Sequence, residues 1–175
     1  MSRRSLSSWE LGECRRVFGE SIAWERVQVF EDRAWPRWLS AVGAKLRRQP
    51  PPAHNAVTLG HRMYFSRRLN THPGGPQPQR RSDLAWLVHE LTHVWQYERH
   101  GPRALRDAAK LHLGSGVDPY AYGGEAGLSP SPAPKSLADF NMEQQAEIAG
   151  DYYSRLASGQ DTQAWEPFVE RLRRR

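Results

Sequence analysis

Cysteine is almost missing from this 175-residue chain: Cys14 stands alone. One thiol excludes an internal disulfide framework and a cysteine-built zinc site, and it suits a reducing compartment. Long apolar runs are missing too. The longest is Leu84–Val88, far short of the ~20 residues that a membrane-spanning helix needs. The basic start, MSRRSLSSWELGE, has no apolar stretch behind it, so no classical secretory signal is expected. The expected location is the cytoplasm, or outside the cell by export without a cleaved signal. Lysine is scarce, occurring only at Lys45, Lys110 and Lys135, so the net charge of +6 rests on arginine. The arginines are scattered in short clusters, and the tryptophans do not interleave with them as a base-stacking groove requires. Specific nucleic-acid binding is therefore only a third reading, behind the two developed below.

What the chain does have is polar surface and strong punctuation. Apolar residues make up 38% and mean hydropathy is −0.77. This length and composition imply one domain over residues 1–175, with a core over about residues 5–157. SSWELGECRRVFG reads as a helix, with Ser7 and Glu10 at capping-box spacing and Gly19 as its stop. ERVQVFEDRAW alternates at Val27 and Val29, as a strand does. A helix begun by Pro36 and a stiff proline linker, PPPAHN, follow. NAVTLGHRMYFS reads as a single strand in which Gly60 marks a bulge or close approach.

A glycine- and proline-rich loop then leads to a helix capped by Ser82 or Asp83 and running to about His100. Its apolar side carries Leu84, Leu87 or Val88, Leu91 and Val94 or Trp95. A further helix is expected over RALRDAAKLHL. An irregular stretch, GSGVDPYAYGGEAGLSPSPAPKS, has the length of a lid or binding loop. SLADFNMEQQAEIAGDYYSRLASG reads as one helix opened by a Ser136/Asp139 capping box, and AWEPFVERLRRR as a partly helical end.

The stretch VHELTHVWQYERHG carries the chemistry. His89 and His93 lie four apart, so on a helix both imidazoles share a face and can reach one cation. Glu90 projects beside them, where it can take and return a proton. Zinc suits this donor set. A third donor is needed. Six positions after His93 stands Arg99, and His100 is two turns away, so the donor must come from elsewhere. Glu143, Glu147 and Asp151 are each separated by four and line one helical face. Such a row repels itself unless a positive centre sits beside it. A solvated acidic face paired with arginines is the bland alternative.

A His-Glu-x-x-His helix followed by a glutamate helix resembles the gluzincin type of zinc metallopeptidase. There the ligand glutamate is followed four residues later by an acidic group that orients an imidazole. The resemblance assigns Glu143 as the third ligand and Glu147 as the orienting carboxylate, with Glu147 and Asp151 as the alternative register. FNMEQQAEI, ECRRVFG, VTLGHRMYF, HELTHVWQY and YAY are similar to a small bacterial family of Vgr-related proteins. That likeness covers most of residues 5–157. It implies a compact zincin-like α+β domain, mostly helical, with a small sheet packed on the metal-binding helix. It also implies a link to contractile secretion systems, and hence a secretion-apparatus protein as partner.

The resulting expectation is a zinc-dependent hydrolase acting on a peptide or protein substrate, with Glu90 as general base and acid. The alternative is a non-catalytic, zinc-stabilised accessory module of the secretion apparatus. By resemblance, VTLGHRMYF is an edge strand beside the cleft, with His61 near the rim. Tyr120 or Tyr122, in the long loop, is a candidate donor to a developing oxyanion, with aromatic packing as the competing reading. Trp86 and Trp95 are expected in the core, and Arg99 and Arg103 are expected to balance the acidic helix.

Overall fold

The computed structural model describes residues 3–36, 55–103, 118–129 and 135–174. In chain order the elements are β1 (Arg3–Arg4), α1 (Ser8–Phe18), a 3-10 turn (Trp24–Arg26), β2 (Gln28–Phe30), β3 (Ala56–Leu59) and β4 (Arg62–Phe65). Then come α2 (Gln77–His100), α3 (Gly124–Leu128), a second 3-10 turn (Leu137–Asp139), α4 (Met142–Ala157) and α5 (Glu166–Arg173). This is a mostly helical α+β fold with one small sheet.

The sheet order is β1-β2-β4-β3. β1 runs antiparallel to β2, β2 parallel to β4, and β3 antiparallel to β4. The expected single strand over NAVTLGHRMYFS is thus a hairpin. Gly60 at φ +64° makes the turn rather than a bulge, a conformation that favours glycine. The turn also lies against α2, since a β-carbon on Gly60 would stand 3.4 Å from the Tyr97 ring. Alternation sends Met63 and Phe65 into the core. Phe30 and Tyr64 stack with centroids 4.8 Å apart, and Trp35 meets Tyr64 at 5.2 Å.

α1 forms as its caps dictate. Ser7 accepts from the Glu10 amide while Glu10 accepts from the Ser7 amide, and Gly19 ends the helix at φ +55°. The buried Glu10 also binds Arg4 at 2.7 Å and Thr71 at 2.6 Å. Arg4 reaches Glu31 at 2.9 Å, and Glu31 accepts from the Leu69 amide at 3.2 Å. One buried polar cluster thus ties β1, α1, the end of β2 and the loop after β4.

α2 starts at Gln77, several residues before the expected cap. Pro76 precedes it and a proline occupies its first turn, where a missing N–H costs nothing. Asp83 is buried inside the helix instead of capping it. It accepts from Arg67 at 2.9 Å and from the Asn70 amide at 2.6 Å, which fastens the preceding loop.

α2 is buried on nearly every side: Leu84, Leu87, Val88, Leu91 and Val94 are all in the core, as are Trp86 and Trp95. Each such side chain contributes about 1.5–3 kcal/mol through burial. From Asp83 to Gln96 the helix buries polar as well as apolar side chains, because α2 sits between the sheet and α4.

The helix expected from Ser136 onward is split. Ser136 and Asp139 do form a capping box, but around the 3-10 turn. Asn141 then caps α4 through a second box with Gln144. The expected helices after Pro36 and over RALRDAAKLHL lie outside the described residues, as does PPPAHN apart from Asn55. The described part of the expected irregular stretch holds α3. Among the described residues, no helix is long and apolar enough to cross a membrane.

Candidate metal centre

The contact of α2 with α4 places the donors. His89 and His93 share one face of α2, with ring centroids 5.1 Å apart. Glu143 sits in the first turn of α4. Its Oε2 lies 3.4 Å from His89 Nε2 and 3.4 Å from His93 Nε2. Two ligands ~2.1 Å from a tetrahedral ion are separated by about 3.4 Å, so the spacing suits zinc. Among the described residues these three form the group able to hold a metal, with donor atoms all within 4.8 Å of one another. Two imidazoles and a carboxylate also match the donor chemistry of zinc.

Both Nδ1 atoms are engaged on the far side of each ring. His89 Nδ1 lies 3.2 Å from Glu147 Oε1, and His93 Nδ1 lies 2.9 Å from Gln96 Oε1. With Nδ1–H donating, each ring would offer its Nε2 lone pair to a bound metal ion beside Glu143. The side chains of His89 and His93 are 13% and 15% exposed, and that of Glu143 only 4%, so the carboxylate is the buried member.

Electrostatics favour a cation here. Burial pushes the His89 imidazolium down, but hydrogen bonds to Glu143 and Glu147 and the charges of Glu90 and Glu143 outweigh it, lifting the pKa to about 10. Burial also opposes charge on His93, and so does the neighbouring His89. The Glu143 carboxylate and Glu90 prevail and raise it. A metal ion offers positive charge in the same place.

Glu90 is buried, and its Oε2 accepts from Thr58 Oγ1 at 2.7 Å. Thr58 faces inward from β3, which pairs with β4 alone among the described residues. Tyr120 brings its ring to 6.1 Å from His89. Its segment docks on the start of α4: Asn141 donates to the Pro119 carbonyl at 3.0 Å and Gln144 to that of Ala121 at 2.8 Å. Tyr122 is engaged elsewhere. Its hydroxyl donates to Asp151 and accepts from Trp165 Nε1 at 3.1 Å. Asp151 thus serves Tyr122, while Glu147 lies at His89.

Other expectations meet different geometry. His61 sits in the hairpin turn and contacts Glu98 at 2.9 Å. Arg99 stacks on Trp95 at 3.9 Å and donates to the Arg174 carbonyl, so its partners belong to the core and α5 rather than to the acidic helix. Sequence reasoning misses Thr58 and Gln96. Gln96 stands three residues after His93 on the same helical face, a signal that the spacing does carry. Thr58 has none beyond its place in a strand.

Residues 14–101, from the second half of α1 through the end of α2, match the family model described as the eCIS core domain. The chain is 31% identical over 156 residues to the type VI secretion system spike protein VgrG2b of Pseudomonas aeruginosa. The alignment covers 86% of this chain and 13% of that protein, so the chain spans a small part of its relative. No solved structure matches. With half its length matched, and both histidines inside the match, the chain belongs to the eCIS core domain family.

Proposed function

We propose that this chain is a zinc-dependent module of a contractile secretion system, and that its centre hydrolyses peptide bonds. The coarser part, a metal-holding protein module that works with secretion machinery, draws on the family match, the spike-protein relative and the donor cluster. These support that part more directly than they support turnover. The observation that carries the reading is the position of Glu143 Oε2, 3.4 Å from each of two imidazole nitrogens supplied by another helix.

His89, His93 and Glu143 would hold the ion. When bound, zinc supplies Lewis acidity that lowers the pKa of water and polarises a carbonyl. Glu90 takes a proton and returns it to the leaving amine. Its charge is felt by both imidazoles, and Thr58 holds one of its oxygens. Glu147 and Gln96 orient the two rings. Tyr120, its ring 6.1 Å from that of His89, would donate to a developing oxyanion. Tyr122 anchors its segment instead. An extended peptide fits along the outer edge of β3, beside Glu90.

The second reading keeps the ion and drops the reaction: zinc clamps α2 to α4 and the module docks on other proteins. Two measurements separate the readings. Zinc per chain is expected near one. A broad peptide library is then expected to be cleaved by the wild type and left intact by Glu90→Gln. Equal inactivity of both proteins, with zinc firmly held, favours the second reading. A chain that takes up no zinc removes both.

A further inference from the structure

Gln96 lies three residues after His93 and is fully buried. Its side chain makes three polar contacts. Oε1 meets His93 Nδ1 at 2.9 Å. Nε2 donates to the Met142 carbonyl at 2.9 Å and to Gln145 Oε1 at 2.9 Å. Gln145 in turn donates to the carbonyls of Leu137 at 3.1 Å and Phe140 at 2.9 Å. Met142 immediately precedes the third donor, Glu143, in the chain.

This wiring admits one orientation of the amide. The two contacts on the Nε2 side are acceptors, so the amide nitrogen faces them and the oxygen is left for the ring. The oxygen must then receive a hydrogen, so Nδ1 of His93 carries a proton and Nε2 is the nitrogen left to face a metal. A carboxylate at position 96 could serve the ring but would face two oxygens without a proton to offer. An aliphatic side chain could serve neither. The partner of His89 differs in kind: Glu147 is a carboxylate with a side chain 38% exposed. The second imidazole is therefore fixed from inside the protein, the first from near its surface.

We propose that Gln96 is a positioning residue that joins His93 to the start of α4, so that one buried amide sets both the tautomer of a ligand ring and the seat of the helix bearing Glu143. The proposal rests on the metal reading of the site. It goes further by making ring orientation and helix docking a single coupled event.

Two variants test it. Gln96→Met keeps length and burial but removes every polar contact. Gln96→Glu keeps the acceptor for His93 and loses both donors to α4. Zinc affinity is measured by competition with a chromophoric chelator, the cobalt(II)-loaded site by its visible spectrum, and α4 docking by amide exchange over residues 142–146. Gln96→Met is expected to bind zinc ~10- to 100-fold more weakly, with an altered cobalt spectrum and faster exchange. Gln96→Glu is expected to hold zinc within about threefold of wild type while exchange over 142–146 still quickens.

A purely packing role leaves affinity and spectrum unmoved in any variant that folds. A folded Gln96→Met with wild-type affinity and spectrum overturns the inference while leaving the metal reading intact. If Gln96→Met does not fold, Gln96→Glu decides: slow exchange like wild type refutes the coupling. Wild-type protein that takes up no zinc removes the metal reading itself.

Discussion

Gly150 of α4 lies beneath His89 of α2: a β-carbon at position 150 would stand 3.9 Å from His89 Cβ and 3.3 Å from the Ala85 carbonyl oxygen. The absent side chain lets the two helices approach until Glu143, two turns earlier, reaches both imidazoles. Alanine in a helix is worth about 1 kcal/mol over glycine. Here the obstacle is a backbone carbonyl of a packed helix, which gives way poorly. Gly150→Ala is expected to weaken zinc binding despite its better helix propensity, and Gly150→Val to weaken it further. Chelator competition on the two variants checks the order.

The donor set has its own test. His89→Ala, His93→Ala and Glu143→Gln are each expected to abolish stoichiometric zinc measured by plasma emission. In the wild type, zinc at 100 times its Kd is expected to add about 2.7 kcal/mol of stability, seen as a raised Tm. In the three variants the same addition should leave Tm unchanged.

Thr58 and Glu90 form a buried pair whose worth is measurable without any substrate. Thr58→Val leaves the shape but strips the hydroxyl from the carboxylate, at a cost of about 1–3 kcal/mol. Thr58→Ser is expected to recover most of it. Urea denaturation at neutral pH reads both.

The polar cluster around Glu10 sets the acid limit. Burial works to raise the Glu10 carboxyl. Arg4, Thr71 and the Ser7 amide outweigh burial and hold it below the ordinary value of 4.5. A depressed carboxyl contributes stability that is present above about pH 4.5 and is lost as pH falls through its folded-state value. Arg4→Met leaves the carboxylate buried without its cation, at a cost of about 2–3 kcal/mol near neutrality. The variant is expected to unfold at higher pH than wild type in an acid titration followed by circular dichroism. An unmoved acid midpoint would show that the cluster does not set this limit.

Some of these features are legible in the amino-acid sequence alone. Ser7 and Glu10 announce α1 because a capping box is local: both partners lie within one turn. His89, Glu90 and His93 are legible for the same reason, since helical spacing alone puts the two rings together. Glu143 needs a family likeness, because nothing in its own neighbourhood says which remote helix it will meet. The hairpin reads as one strand because Gly60-His61 lacks the asparagine or aspartate that usually marks such a turn. Asp83 has the look of a helix cap and is instead a buried anchor for Arg67 and Asn70. A residue that favours helix starts gives the same local signal when a tertiary partner claims it. The spacing puts Gln96 beside His93, but its link to α4 is not local and cannot be read from the sequence.

Thr58, His89 with His93, and Glu143 come from β3, α2 and α4, and of the three possible metal ligands only the two histidines lie close together along the chain. In the unfolded polypeptide a cation therefore meets at most a weak two-ring site. Short zinc modules, whose ligands are close neighbours in sequence, are organised by the ion as they fold. Here the order would be reversed: the polypeptide must first bring distant segments into register, and an ion could be held only once the tertiary fold is in place.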